Sequence, residues 1–388
     1  MPLPDGFRRA DQLAGPEPRY PLEVGLCLSC SLVQILGTVP PHELFVDNYL
    51  YFSSFSDQLV ERSRAYAESM TSARALGEDS WVVELASNDG YLLQHFVSLG
   101  VPVLGIDPAP EPVRRAEEIG VPTMQAFFGV ELAEKLVSDR GRRADLVIAN
   151  NVMAHTPELN SFVAGIAQLV SEDGVATVEN TYVRDLIDNL AFDTVYHEHF
   201  SYFSCTAVSA LMQRHGLTLH HVDALPDVQG GSLRWWVSHD TAVDESARAY
   251  LEQEQSAGVV SPDYYTDFGR RVEALREELL ALLRGLKADG ASIAAYGAAA
   301  KGTILLNYFG IDETLVDFVV DRNVHKHGLY MPGVDVPIRP VEALVEDRPD
   351  YALLLAWNYR NEVLAQQEAY RAAGGRFIVP IPQVEILG

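Results

Sequence analysis

The segment Tyr196-His197-Glu198-His199-Phe200-Ser201-Tyr202-Phe203 is the densest cluster of polar and aromatic side chains in the 388-residue chain. Two histidines flank a carboxylate, with two tyrosines close by. Such a set can supply a general base, a partner that orients it and a phenolic donor. A His-x-His pair can also ligate metal, but nothing near it in the sequence closes a ligand set. Taken singly, each histidine has an ordinary structural reading as well.

A second constellation, E-x-A-S-N-D-G, runs from Glu84 through Ala86, Ser87, Asn88 and Asp89 to Gly90, at the end of the apolar run Trp81–Ala86. A strand, a small turn and a helix form the junction at which a doubly wound sheet opens a ligand crevice. Gly90 permits close backbone approach. The next apolar run ends at Asp107, where a carboxylate can accept both ribose hydroxyls of an adenosine. Asn150 and Asn151, with His155 beyond them, complete the crevice, unless the asparagines are simple turn formers. The G-x-G-x-x-G of dinucleotide sites is absent. Glu84 would repel a pyrophosphate, but it would accept a hydrogen bond from the ammonium of a methionyl group.

A third junction, Gly297 to Gly302 ahead of Thr303, could bring backbone N–H groups to a diphosphate, with Lys301 adding a point charge. A plain helix start is the alternative. Asp321, Lys326 and Gly333 mark a further loop at a strand edge, where turn residues are common.

These groups need a scaffold. From Trp81 to Ser238 apolar strands alternate with helices, which predicts a parallel sheet covered on both faces, closing on the pair Leu217–Val222 and Ser232–Ser238. A charged stretch, about Asp267 to Lys287, reads as a linker helix. Alternation restarts at Ser292 as a second, smaller α/β unit. The start of the chain, with Pro16, Pro18, Pro21, Pro40 and Pro41, reads as irregular. The expected organisation is an N-terminal module (1–56), a doubly wound domain (57–240), linker helices (241–290) and a C-terminal α/β domain (291–388).

Composition narrows the function classes. Hydrophobic residues make up 48% and charged residues 21%, as in a soluble globular protein. No apolar run approaches the ~18 residues of a membrane span, and the start does not read as a signal peptide, so the cytoplasm is expected. With 29 basic and 54 acidic residues the net charge is -25, which argues against nucleic-acid binding. An anionic small molecule would need local donors. Three cysteines exclude a disulfide scaffold.

In order along the chain, five stretches resemble the sugar C-methyltransferases of natural-product biosynthesis, which act on dTDP-linked 4-keto-deoxyhexoses. They are Glu84-x-Ala86-Ser87-Asn88-Asp89-Gly90, Asn151-Val152-x-Ala154-His155, Tyr196-His197-Glu198-His199-x-Ser201-Tyr202-Phe203, Gly230-Gly231-Ser232-Leu233-Arg234 and Ala295-Tyr296-Gly297-Ala298-Ala299-Ala300-Lys301-Gly302. The resemblance covers nearly the whole chain. It implies an α/β fold: a doubly wound SAM-methyltransferase (Rossmann-like) domain, a second smaller α/β C-terminal domain and a short N-terminal module of zinc-binding type. It implies S-adenosylmethionine (SAM) as cofactor and an NDP-4-keto-deoxysugar as substrate, methylated beside the ketone at C3 rather than C5.

His199 is then the base, Tyr196 and Glu198 line its pocket, and His155 and one of Tyr49 and Tyr51 approach the sugar. Glu84, Ala86, Ser87, Asn88, Gly90, Asp107, Asn150 and Asn151 are expected at the cofactor. His197, Gly297, Lys301, Thr303, Asp321 and Lys326 are expected at the substrate. A monomer with no nucleic-acid or membrane partner is expected. An NAD-dependent enzyme acting on a sugar nucleotide and a non-catalytic SAM-binding protein are the competing readings.

The family's zinc module uses two pairs of cysteines, and here only Cys27 and Cys30 remain, with His42 the nearest third ligand. Two thiolates are half of a tetrahedral set, so zinc is expected only as an incomplete site.

Overall fold

The computed structural model describes residues 1–40, 44, 52–226, 228 and 230–388. Its strands are, in chain order, β1 (Val24–Leu26), β2 (Val33–Ile35), β3 (Val82–Leu85), β4 (Val103–Asp107), β5 (Thr123–Gln125), β6 (Ala144–Asn150), β7 (Val170–Thr181) and β8 (Ser201–Tyr202). There follow β9 (Thr218–Leu225), β10 (Ser232–Ser238), β11 (Ile293–Tyr296), β12 (Val319–Asp321), β13 (Ile338–Pro340), β14 (Tyr351–Leu354), β15 (Arg376–Val379) and β16 (Glu385–Leu387).

A seven-stranded sheet has the order β5-β4-β3-β6-β7-β10-β9. Its first five strands are parallel, and β10 runs antiparallel between β7 and β9. The apolar runs dictate this. Val82, Val83 and Leu85 of β3 and Leu146 to Ala149 of β6 have no exposed surface, as central strands covered by helices on both faces require. Strand order reverses between β3 and β6, so the turn Ala86–Asn88 and the pair Asn150–Asn151 leave the sheet on either side of one crevice.

A six-stranded sheet, β13-β12-β11-β14-β15-β16, repeats the device. It is parallel except for β16, and its order reverses between β11 and β14. Gly297 closes β11 at φ +99°, and a Cβ there would stand 2.8 Å from that of Ala356 beyond β14. Only glycine lets these two loops touch.

The N-terminal module joins both units. β1 and β2 extend to β8, the strand that directly follows the Tyr196–His199 cluster. On the other side Arg8 pairs with Asp335 at 2.9 Å, and Thr303 Oγ1 donates to the Pro4 carbonyl at 3.0 Å.

Several elements differ from expectation. The start of the chain is not wholly irregular: β1 and β2 lie there, and these, with β5, β8, β13 and β16, were not anticipated, because two or three residues are too few to show a period. The helices Val130–Arg140 and Val183–Asp188 were also missed. The linker helix starts earlier, at Pro262, where Ser261 caps it and proline occupies the first turn. Between β14 and β15 lie two short helices, Arg360–Gln366 and Glu368–Ala372. Among the described residues no helix is long and apolar enough to cross a membrane.

Glu254 ties the first linker helix to the large sheet. Its buried carboxylate accepts the N–H groups of Cys205 (2.6 Å) and Thr206 (2.8 Å), the Thr206 hydroxyl (2.7 Å) and the Tyr182 hydroxyl (2.9 Å). It thereby caps the helix Cys205–Arg214 with a negative charge at its positive end. Glu254→Ala should leave these buried donors unpaired, at a cost on the order of 3 kcal/mol, read as a clear fall in the thermal unfolding midpoint.

Candidate functional site

The crevices of both sheets open into one cavity of about 1800 Å³, larger than the roughly 300–1,000 Å³ of a pocket for one drug-sized ligand. From the large sheet it takes Ala86, Asn88, Asp107, Asn150, Asn151 and His155; from the smaller, Ala299, Lys301, Lys326 and Asn358; from the segment between, Tyr196, Glu198, His199 and Tyr202. The volume accommodates two ligands side by side.

Three backbone positions here are strained. Ala86 (φ +56°), Asn88 (+50°) and Asn151 (+52°) are non-glycine residues in the left-handed region, each costing about 1 kcal/mol or more. Hydrogen bonds hold the turn in place: the Asn88 side-chain oxygen accepts from the Ser53 N–H at 2.9 Å, and Asp89 Oδ2 accepts the Ser54 hydroxyl at 2.5 Å. Gly90, at φ +78°, leaves no room for a Cβ, which would lie 3.1 Å from Val121.

The turn's groups match a charged adenosyl-amino-acid ligand. Asp107 Oδ2 accepts the Asn88 N–H at 3.0 Å and Oδ1 accepts that of Ala109 at 2.9 Å. A carboxylate oxygen has two lone pairs, so each keeps one for a ligand hydroxyl. Burial pushes the Asp107 carboxyl up to about 6. Glu84 stands behind the lining with both oxygens buried and lacking a well-formed hydrogen bond. Burial first, then Asp107, raise its pKa well above the usual range, opposed by the Tyr91 hydroxyl beside it. Asn150 Oδ1 is likewise buried without a partner. Asn150 Oδ1, on the cavity wall, suits a ligand donor, and Glu84 backs the turn from behind the wall. Ser87 is different: its side chain is fully buried against Gly105 of β4, so it shapes the turn and does not face the cavity.

His199 Nδ1 lies 2.9 Å from the Thr194 carbonyl, which can only accept, so Nδ1 carries the proton. Nε2 then holds a lone pair and takes a hydrogen bond from the Tyr196 hydroxyl at 2.9 Å. Burial above all, then His155, push the His199 pKa well below 6.5, and Lys301 adds to this. The imidazole is neutral at physiological pH. The His155 ring meets it edge-on at 4.7 Å, and burial lowers His155 to about 4, against the pull of the Glu198 carbonyl. Glu198 does not raise His199. Its own carboxyl is driven up by burial and by Asp5, with Lys326 opposing.

Lys301 occupies the first turn of the helix Ala300–Phe309, its ammonium 5.0 Å from the Trp357 ring centre. Burial lowers its pKa and Asp193 opposes this. Asp193 in turn accepts the Trp357 indole N–H at 2.7 Å, and burial pushes it up to about 6. Lys326 donates to the Ala298 carbonyl at 2.7 Å and lies over Phe7.

Four residues expected at the substrate lie elsewhere. His197 is fully buried outside the cavity, its Nε2 3.2 Å from the Pro21 carbonyl and its ring against Tyr20; it anchors the N-terminal module. Thr303 is buried on Pro4. Asp321 accepts the N–H groups of Ala298 and Asn323, both at 2.7 Å, and so sets the loop. Gly297 sets the same loop from behind the lining. Tyr49, Tyr51 and His42 lie outside the described residues. Cys27 and Cys30 are free thiols, and backbone hydrogen bonds from Ser29 and Cys30 lower the pKa of Cys27. Among the described residues no group of three or more His, Cys, Asp or Glu is placed to hold a metal. The sequence reading overlooked Arg62, Asn180 and Tyr359, which also line the cavity.

Three families match the chain in series: the "Putative zinc binding domain" over residues 1–45, the "Methyltransferase domain" over 60–222 and the "C-methyltransferase C-terminal domain" over 227–382. The chain is 35% identical to the C-methyltransferase NovU of Streptomyces niveus over 389 residues, 100% of this chain and 92% of that one. A ubiquinone biosynthesis O-methyltransferase of Methylobacterium sp. (strain 4-46) is 34% identical over 26% of this chain and 41% of its own. Among solved structures, the SAM-bound magnesium protoporphyrin IX methyltransferase of Synechocystis aligns over 47% of this chain and 79% of its own, at 15% identity and a TM-score of 0.35.

Asp107→Ala should weaken SAM binding by on the order of 1–3 kcal/mol in calorimetry. In the wild type, ribose hydroxyls favour the ionised carboxyl, whose free-enzyme pKa is about 6. SAM affinity should therefore hold above pH 6 and decline as the pH falls through it. A flat profile would remove Asp107 from the ribose.

Proposed function

The chain belongs to the C-methyltransferase family and is a SAM-dependent enzyme of it; on that premise, we propose that it methylates the carbon beside the ketone of an NDP-4-keto-deoxysugar, dTDP-linked as in the family it resembles, at C3 rather than C5. The observation that carries this reading is the neutral His199, its proton fixed on Nδ1 and its Nε2 lone pair aimed at the Tyr196 hydroxyl in a cavity sized for two ligands. Family membership sets aside an NAD-dependent enzyme and a non-catalytic binder.

Asn88, Asp107 and Asn150 would hold SAM, which supplies an electrophilic methyl group when bound. The remaining chemistry belongs to this chain. A carbon beside a ketone is acidic enough for a positioned imidazole to deprotonate. Substrate entering beside Tyr196 displaces its hydroxyl from Nε2, and the freed lone pair removes the α-proton. The Thr194 carbonyl then steadies the imidazolium through Nδ1–H, as the acceptor behind a catalytic histidine does. The displaced Tyr196 hydroxyl donates to the oxygen on which enolate charge develops.

Lys301 and Lys326 bring two cations to the cavity wall of a chain whose net charge is -25. They favour the diphosphate and the enolate alike. Asp193 and the Ala298 carbonyl keep these side chains placed.

His199→Ala should retain SAM and sugar-nucleotide binding while kcat drops roughly 10²–10⁴-fold. It should also lose exchange of the substrate's α-proton with deuterated solvent. In the wild type kcat should stay level as pH falls past 6.5 and decline only below it, since burial, His155 and Lys301 hold His199 under its ordinary value. Mass spectrometry of SAM incubations with a panel of dTDP-4-keto sugars tests the substrate class. No methylated product from any of them would overturn that part of the reading, and unchanged turnover in His199→Ala would overturn the mechanism.

A further inference from the structure

Arg62, on the helix Asp57–Ala73, reaches across to the large sheet. Its Nη2 donates to Glu179 Oε1 at 2.9 Å, while Arg234 of β10 donates to Oε2 at 2.8 Å. The Glu179 side chain has no exposed surface. One buried carboxylate thus faces two guanidinium groups, and the cluster keeps a surplus positive charge in a strongly acidic protein. The other arm of Arg62, Nη1, is buried without a hydrogen-bond partner, and Arg62 lines the cavity.

The position of this arm is defined by the strands. Glu179 lies opposite Asn150 in the β6–β7 register, and its carbonyl accepts the Asn151 N–H at 2.7 Å. Tyr66, one helical turn after Arg62, connects the cluster to the cofactor turn. Its hydroxyl bonds Thr177 Oγ1 at 2.7 Å, Arg234 lies over its ring at 4.4 Å, and both Glu179 and Glu84 lie within electrostatic reach. The surplus cation therefore stands at the Asn150–Asn151 edge of the crevice, where β7 meets β6 beside the strand that carries Glu84.

We propose that Arg62 clasps the carboxylate of the cofactor's methionyl group. That carboxylate requires a cationic donor, and Arg62 brings one to the part of the cavity wall formed by the large sheet. An arginine with one arm already fixed on Glu179 loses little further rotamer freedom when the other arm takes an anionic oxygen. Aspartate or glutamate oxygens elsewhere on the wall could not serve, since like charge repels. The assignment rests on the SAM dependence of the family and is independent of the sugar substrate.

Calorimetry with S-adenosylhomocysteine, with 5′-methylthioadenosine, which lacks the amino-acid end, and with dTDP tests it. In Arg62→Gln the affinity for S-adenosylhomocysteine should fall about 10–100-fold, the worth of a charge-assisted hydrogen bond, with the other two unchanged. Arg62→Lys keeps Glu179 neutralised should the glutamine variant fail to fold. It should lose severalfold in S-adenosylhomocysteine affinity, again leaving 5′-methylthioadenosine unchanged. Equal losses for S-adenosylhomocysteine and 5′-methylthioadenosine would reduce Arg62 to shaping the crevice. A loss confined to dTDP would make the anion a phosphate, and unchanged S-adenosylhomocysteine binding would leave the arm without a ligand. Each of these would overturn the proposal.

Discussion

The hydrogen bond between His199 Nδ1 and the Thr194 carbonyl, 2.9 Å long, decides which imidazole nitrogen carries a lone pair, and the architecture around it serves to keep that carbonyl where it is. Thr194 follows Asp193, and Asp193 is held by the Trp357 indole from the smaller sheet. The strand after His199 is held by β2 of the N-terminal module. A neutral base of fixed tautomer therefore needs all three parts of the chain. The smaller unit secures the start of the segment and the N-terminal module secures its end.

Electrostatics pull in one direction at this centre. Burial disfavours the charged form of every group it covers, so His199 and His155 are pressed toward neutrality and the carboxyls of Glu84, Asp107 and Glu198 are pushed up. A SAM sulfonium and ammonium would meet acceptors already short of positive partners. An anionic substrate would meet Lys301 and Lys326 across the cavity, in a protein whose outer surface repels anions. Acidic groups predominate on the cavity wall as they do in the whole chain, and Lys301 and Lys326 supply local cations on the side of the smaller sheet.

Both sheets use the same topological device, a reversal of strand order that parts two loops above the carboxyl ends of adjacent strands. One reversal would form a crevice for one ligand. Two that open into a shared volume bring a methyl donor and its acceptor together, which is the physical requirement of a transfer between two small molecules.

Sequence alone determined the parts governed by local rules. Apolar runs marked β3, β4, β6, β7, β11 and β14, because strands buried on both faces must be apolar throughout, and the turn after β3 and the motif around His199 were legible as chemistry. Three-residue strands carried no period to read, so β5, β13 and β16 escaped. Tertiary structure decided which members of a motif act. His197 and His199 are two positions apart and chemically identical, yet one is buried on the Pro21 carbonyl and the other faces the cavity; that difference comes from strand pairing with a module more than 150 residues earlier in the chain. Arg62 was unreadable for the same reason. Its partner Glu179 lies 117 residues away, and a surplus of buried charge exists only once the fold has assembled both arginines on a single carboxylate.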